Sequence, residues 1–224
     1  MPIVVTYNDD KIIKYDNFDE IINNINIIKI DCSYNNLTSL PDNMTSEMHF
    51  PNLTHFYCCY NNLTSLPDNM NFPNLTHYYC SNNKLTSLPD NMMFPNLTYF
   101  YCHYNNLKSL PDNMNFPNLI HFYCSDNKLI SLPDNMIFPK LIHFSCNYNK
   151  LTSLPDNMNF PYLRELCCCD NKLTSLPPNM NFPYLRDFHC YNNKIYYIPP
   201  HINCNIVKDN TTKSPEYMRR KLWL

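Results

Sequence analysis

Leu53-Thr54-His55-Phe56-Tyr57-Cys58-Cys59-Tyr60-Asn61-Asn62-Leu63-Thr64-Ser65-Leu66-Pro67-Asp68-Asn69-Met70-Asn71-Phe72-Pro73-Asn74 is one period of this chain. Leu75 opens the same pattern again, and Leu97, Leu119, Leu141, Leu163 and Leu185 follow at the same constant interval. Working outward toward the N-terminus, a further unit begins at Ile27, with Ile30, Cys32, Asn35, Leu37, Leu40 and Pro41 in the equivalent slots. It reaches Leu53 later than the interval requires, its four extra residues lying around Thr45 to His49. A fixed period of this length means stacked units, none of which can bury its apolar face alone.

Within a unit, alternation assigns the faces. Successive side chains of an extended segment point to opposite sides, so in Leu53 to Cys58 residues 56 and 58 go inward while 55 and 57 go outward. The short strand is expected to pair in parallel with its equivalents one unit away. Asn61 then turns the chain, its amide satisfying backbone groups left open by the turn. In a chain with no glycine, asparagine is also the natural residue to take a left-handed conformation. Pro67 and Pro73 favour an extended or turn-like return and oppose a helix there. Leu63, Leu66, Met70 and Phe72 complete the inner wall.

The run Leu-x-x-Phe-x-Cys-x-x-Asn-x-Leu-x-x-Leu-Pro resembles the leucine-rich-repeat consensus, with Phe and Cys in two leucine slots. The resemblance implies an α/β repeat solenoid, an arc of eight 22-residue units over residues 27–205 with a concave parallel β-sheet and an irregular or extended convex side. The wording of the repeat, rich in Asn and without Gly or Ala, is similar to repeat proteins of AT-rich giant DNA viruses of amoebae. The Asn-x-Leu-x-x-Leu-Pro segment also resembles bacterial leucine-rich-repeat effectors.

An open solenoid exposes core and sheet edge at its ends, so caps are expected. Residues 1–26 read as an N-terminal cap. Ile3 to Tyr7 and Lys11 to Tyr15 flank an Asn8-Asp9-Asp10 turn as a hairpin, and Asn17 to Asn24 has helical spacing with Asp16 or Asn17 as its N-cap. Residues 206–224 read as a C-terminal cap, with Ser214-Pro215-Glu216 starting a short helix that brings Tyr217, Met218, Leu222 and Trp223 over the last repeat.

Eight of the 12 cysteines (Cys32, Cys58, Cys80, Cys102, Cys124, Cys146, Cys168, Cys190) share one slot of the repeat, which reads as a row of buried, reduced thiols. The net charge is -2 and the 17 basic residues are scattered, so a nucleic-acid footprint is not expected. No signal peptide or apolar membrane-spanning run is recognised, and the expected setting is intracellular, in the cytoplasm of a host or cell.

Function is expected on the outward rows of the sheet. One reads His55, His77, Tyr99, His121, His143, Glu165, Asp187; the next reads Tyr57, Tyr79, Tyr101, Tyr123, Ser145, Cys167, His189. Tyrosine is enriched at recognition surfaces. The reading is therefore a protein-binding face built from His55, Tyr57, His77, Tyr79, Tyr99, Tyr101, His121, Tyr123 and His143, whose partner is a host or cellular protein. Lowering the pH through about 6.5, the ordinary histidine value, is expected to charge it. Two alternatives stand beside this. Repeat duplication alone would leave the same rows without any ligand. Alternatively, the His55/His77 and His121/His143 pairs, with Cys59 and Cys167-Cys168-Cys169, could take zinc, copper or nickel. No cofactor is expected. Enzyme action is not expected either, since no nucleophile elbow, phosphate loop or zinc-protease helix occurs and the acidic neighbours Glu165 and Asp170 oppose a thiolate at Cys167 or Cys169.

Overall fold

The inward rows of the repeat lie in one continuous core. Leu53, Phe56, Cys58, Leu63, Leu66, Met70 and Phe72 are buried, and so are most of their equivalents in the other repeats, with Leu37, Met92, Phe182 and Leu185 partly buried against them. This computed structural model describes residues 1–21, 25–41, 44, 50–68, 70–180, 182–199, 202 and 204–207. The expected insertion around residues 45–49 and the expected helix in residues 206–224 lie outside the described residues.

Among the described residues, eleven strands form a single sheet. The first three are β1 (Ile3–Tyr7), β2 (Ile12–Tyr15) and β3 (Ile27–Asp31). Seven three-residue strands follow at the repeat spacing: β4 (His55–Tyr57), β5 (His77–Tyr79), β6 (Tyr99–Tyr101), β7 (His121–Tyr123), β8 (His143–Ser145), β9 (Glu165–Cys167) and β10 (Asp187–His189). The last strand is β11 (Asn205–Val207). From β3 to β11 every neighbouring pair is parallel and in register, so His55 faces His77 and Tyr57 faces Tyr79 across the sheet. At the other end β1 and β2 are an antiparallel hairpin, and β1 also runs antiparallel to β3, which covers the edge that an open array would expose. In the segment expected to be helical, the described residues form only a 3-10 turn, Phe18–Glu20. Asn17 there bonds the Glu20 carboxylate instead of capping the backbone. The return segments contain no helix among the described residues, as the two prolines per unit dictate.

Two aromatic columns run through the core. Phe56, Tyr78, Phe100, Phe122 and Phe144 stack with centroids 5.5–5.7 Å apart. Phe72, Phe94, Phe116, Phe138 and Phe160 form the second column, and the two meet edge to face, as the quadrupoles of neighbouring rings favour. Beside them runs the cysteine row, all eight thiols buried and none in a disulfide. Five of these thiols (Cys32, Cys58, Cys80, Cys124, Cys146) donate to the strand carbonyl of the next unit at 3.3–3.6 Å. Cysteine fits here because it is small, apolar and able to make that weak bond.

The asparagine turn is built differently from the sequence expectation. Asn61 reaches inward: its Oδ1 accepts the N–H groups of Asn35 and Leu37 at 2.9 and 3.0 Å, and its Nδ2 donates to the carbonyls of Cys32, Cys58 and Cys59. The same pattern recurs at Asn83, Asn105, Asn127 and Asn149, all buried. The left-handed backbone, however, belongs to the preceding residue: Tyr34, Tyr60, Asn82, Tyr104, Asp126, Tyr148, Asp170 and Asn192 all have φ between 51 and 60°. An asparagine committed to the interior must sit where its side chain points inward, so the positive φ falls on the residue before it. Four of these neighbours are tyrosines, a strained choice at about 1–2 kcal/mol each.

Candidate binding face

The outward side of the short strands carries the rows read from the sequence, and parallel register turns each row into a stack. His55, His77, Tyr99, His121 and His143 lie face to face with centroids 4.3–4.8 Å apart. Tyr57, Tyr79, Tyr101 and Tyr123 form a second stack at 4.4–4.7 Å. The stacks meet edge to face within His55/Tyr57, Tyr99/Tyr101 and His121/Tyr123. All nine predicted residues are therefore contiguous on one half-buried surface. Lys29, on the strand before, holds its ammonium 4.8 Å from the centre of the Tyr57 ring, so the π face at the end of the row already accepts a cation.

Hydrogen bonds set the histidine tautomers. The Thr54 hydroxyl donates to the Ile28 carbonyl at 2.8 Å, so its oxygen can only accept from His55 Nδ1, also at 2.8 Å. Thr76 does the same for His77 after donating to the Thr54 carbonyl. Both neutral rings therefore carry their proton on Nδ1 and offer Nε2 as an acceptor. The expected titration near the ordinary histidine value is corrected by these surroundings. Burial, then the neighbouring His55, lowers His77 to about 4. Burial and Lys29 lower His55, and burial with His143 lowers His121. His55, His77 and His121 therefore stay neutral to a lower pH than an isolated histidine would. Burial also pushes the phenols of Tyr57, Tyr79, Tyr101 and Tyr123 up, Tyr123 to about 12.

A third row lies two residues beyond the tyrosines: Cys59, which the sequence reading takes only as a thiol for a metal, and Ser81, His103 and Ser125, which it leaves unread; Ser81 is buried. Counting one more step of the alternation would have found it. His103 Nδ1 meets Ser81 Oγ at 2.9 Å. Where Ser145 replaces tyrosine the aromatic stack stops and a hollow of about 270 Å³ opens, lined by His103, Tyr123, Ser125, Ser145, Glu165 and Cys167. His143 turns toward Glu165, 2.9 Å away.

The cysteine run divides unequally. Cys168 is buried, as alternation requires, but Cys169 is buried too, and only Cys167 of the three keeps partial access. Burial followed by Glu165 raises the Cys167 thiol, in line with the sequence reading that acidic neighbours oppose a thiolate. The His55/His77 pair stacks face to face and commits both Nδ1 atoms to threonines, and among the described residues it belongs to no close group of three His, Cys, Asp or Glu side chains.

A parallel sheet of three-residue strands at 22-residue spacing, an inward asparagine ladder and non-helical returns define a leucine-rich-repeat solenoid. No protein-family model matches the chain, and no curated protein matches it. Solved structures do. YopM, a leucine-rich effector protein from Yersinia pestis, is 27% identical with a TM-score of 0.67 over 83% of this chain and 50% of that one. InlP of Listeria monocytogenes is 30% identical with a TM-score of 0.64, over 77% and 50% of the two chains. A Shigella effector LRR domain is 25% identical with a TM-score of 0.64, over 84% and 82%. The chain spans half the length of the first two structures. Among the described residues no helix is long and apolar enough to cross a membrane.

Proposed function

We propose that the chain is a protein-binding module whose partner, a protein of the host or cell, lies across the histidine and tyrosine stacks from His55 to His143. The observation that carries this reading is the unbroken double stack of nine rings on five adjacent strands. Stacking holds each ring in place before a partner arrives, so little side-chain entropy is lost on contact. The rings offer apolar area, phenol groups and, at His55 and His77, Nε2 acceptors. A partner presenting N–H donors and cationic side chains fits that chemistry, and Lys29 over Tyr57 is its intramolecular precedent. The likeness to bacterial leucine-rich effectors supports a binding role, and the Asn-rich wording of the repeat supports a viral source and an intracellular setting.

The test compares three forms of the chain as bait against host lysate, with captured proteins identified and then re-bound in purified form. One variant changes Tyr57, Tyr79, Tyr101 and Tyr123 to Ser. The other, Ser87→Arg with Ser109→Arg, alters exposed residues outside the sheet. The reading expects one purified partner to bind wild type and the arginine variant equally and to lose the serine variant at unchanged melting temperature. Retention by the serine variant would overturn it.

A further inference from the structure

Just beyond the last stacked tyrosine, three donors of different chemistry converge. Glu165 and Cys167 stand two residues apart on β9 and face outward together, and parallel register sets His189 of β10 directly beside Cys167. Their ligand atoms all lie within 4.8 Å of one another. Cys167 Sγ is 3.3 Å from Glu165 Oε1, while Glu165 Oε2 is held at 2.9 Å by His143 Nδ1. In a tetrahedral zinc site, bonds of about 2.0–2.3 Å put neighbouring ligand atoms about 3.3–3.8 Å apart. The first of these edges is already in place, and small side-chain rotations would close the rest.

We propose that Glu165, Cys167 and His189 form a binding site for one zinc-class divalent cation, with His143 as the positioning residue for the Glu165 carboxylate and the fourth coordination position open to the hollow beside Ser145. The inference goes beyond the partner-binding reading and does not depend on it. A thiolate, an imidazole and a carboxylate together suit zinc; magnesium and calcium call for oxygen ligands alone. Binding replaces the thiol proton of Cys167, which passes to solvent, by a sulfur–metal bond, so affinity rises with pH. The His143–Glu165 contact is the arrangement that orients a ligating carboxylate from the next shell outward. Among the described residues, none of the stacked histidines from His55 to His121 belongs to a close group of three such ligands, which is why the site sits at the end of the aromatic surface and not on it.

The test uses untagged full-length protein, stripped with chelator and titrated with cobalt(II) as a spectroscopic stand-in, then with zinc. One equivalent of cobalt should produce a thiolate-to-metal charge-transfer band that zinc abolishes, and zinc should shield Cys167 from alkylation as mapped by mass spectrometry. Cys167→Ser should lose the band. His189→Gln should weaken binding at least tenfold, and His143→Gln should weaken it by about 10–100-fold while keeping the band. A double variant, His55→Asn with His77→Asn, should bind as wild type does. Because Cys167 faces outward, unchanged melting of Cys167→Ser separates a lost ligand from lost folding. A band that survives in Cys167→Ser, binding abolished in the His55/His77 variant, or no stoichiometric uptake would each overturn the assignment.

Discussion

Asn105 stands in the middle of the asparagine ladder, and replacing it tests what holds the repeats together. Its Oδ1 accepts the N–H of Leu85 at 3.0 Å, and its Nδ2 donates to the carbonyls of Cys80 and Cys102 at 3.0 and 3.1 Å. Asn105→Ala orphans the buried Leu85 N–H, which costs about 1–3 kcal/mol. Each carbonyl keeps a second donor, Asn83 on Cys80 and Asn127 on Cys102. Each of those losses therefore lies at the low end of the net worth of a hydrogen bond, about 0.5 kcal/mol. The expected total is about 2–4 kcal/mol. Asn105→Asp should be worse at pH 7, because it keeps the acceptor but turns a carboxylate oxygen toward the same carbonyls, and acidification should narrow the gap between the two variants. Solenoids open locally, so the assay is native-state hydrogen exchange read by mass spectrometry across residues 80–107, alongside urea unfolding. An alanine variant within about 0.5 kcal/mol of wild type, the usual range of a neutral surface change, with Leu85 still protected, would refute the ladder argument. So would an aspartate variant no worse than alanine at pH 7.

Three further outcomes are expected. His77 is depressed from 6.5 to about 4 in the folded chain. Below 6.5 the unfolded state therefore takes the proton first: the His77 contribution to stability is complete above pH 6.5 and is lost as pH falls toward 4. Urea midpoints should decline over that window, less steeply in His77→Gln; an equal decline in both would assign the effect elsewhere. Tyr104 holds φ at 53° with its ring exposed, so Tyr104→Asn, the residue already used at the equivalent Asn82, should stabilise the chain by about 0.5–1 kcal/mol. That corresponds to a melting rise of roughly 1–4 °C, and a fall would show that the ring contributes more than its backbone strain costs. Alkylation of the native protein at pH 8 should mark Cys59, Cys167 and Cys204 and spare the nine buried thiols until denaturant is added. Early labelling in the buried row would mean that the array opens far more readily than its packing implies.

The repeat period, the inward Leu, Phe and Cys rows and the outward His and Tyr rows could be read directly from the chain. They follow from alternation along an extended backbone and from recurrence at a constant spacing, both one-dimensional properties. Residues 55, 57, 77, 79, 99, 101, 121, 123 and 143 become a surface simply because parallel register converts recurrence into adjacency. What the tertiary structure alone decided depends on relations perpendicular to the chain. The positive φ moves from Asn61 to Tyr60 because the amide is needed in the interior by the backbone of the preceding unit. His77 loses its ordinary titration because it is half-buried and the imidazole of His55, one repeat earlier, stacks on it. His143, Glu165, Cys167 and His189 converge although they come from three different repeats, where small departures from the repeated wording coincide in space. A periodic sequence makes its regularities visible in one dimension; the exceptions acquire chemical meaning only from the neighbours that stacking gives them.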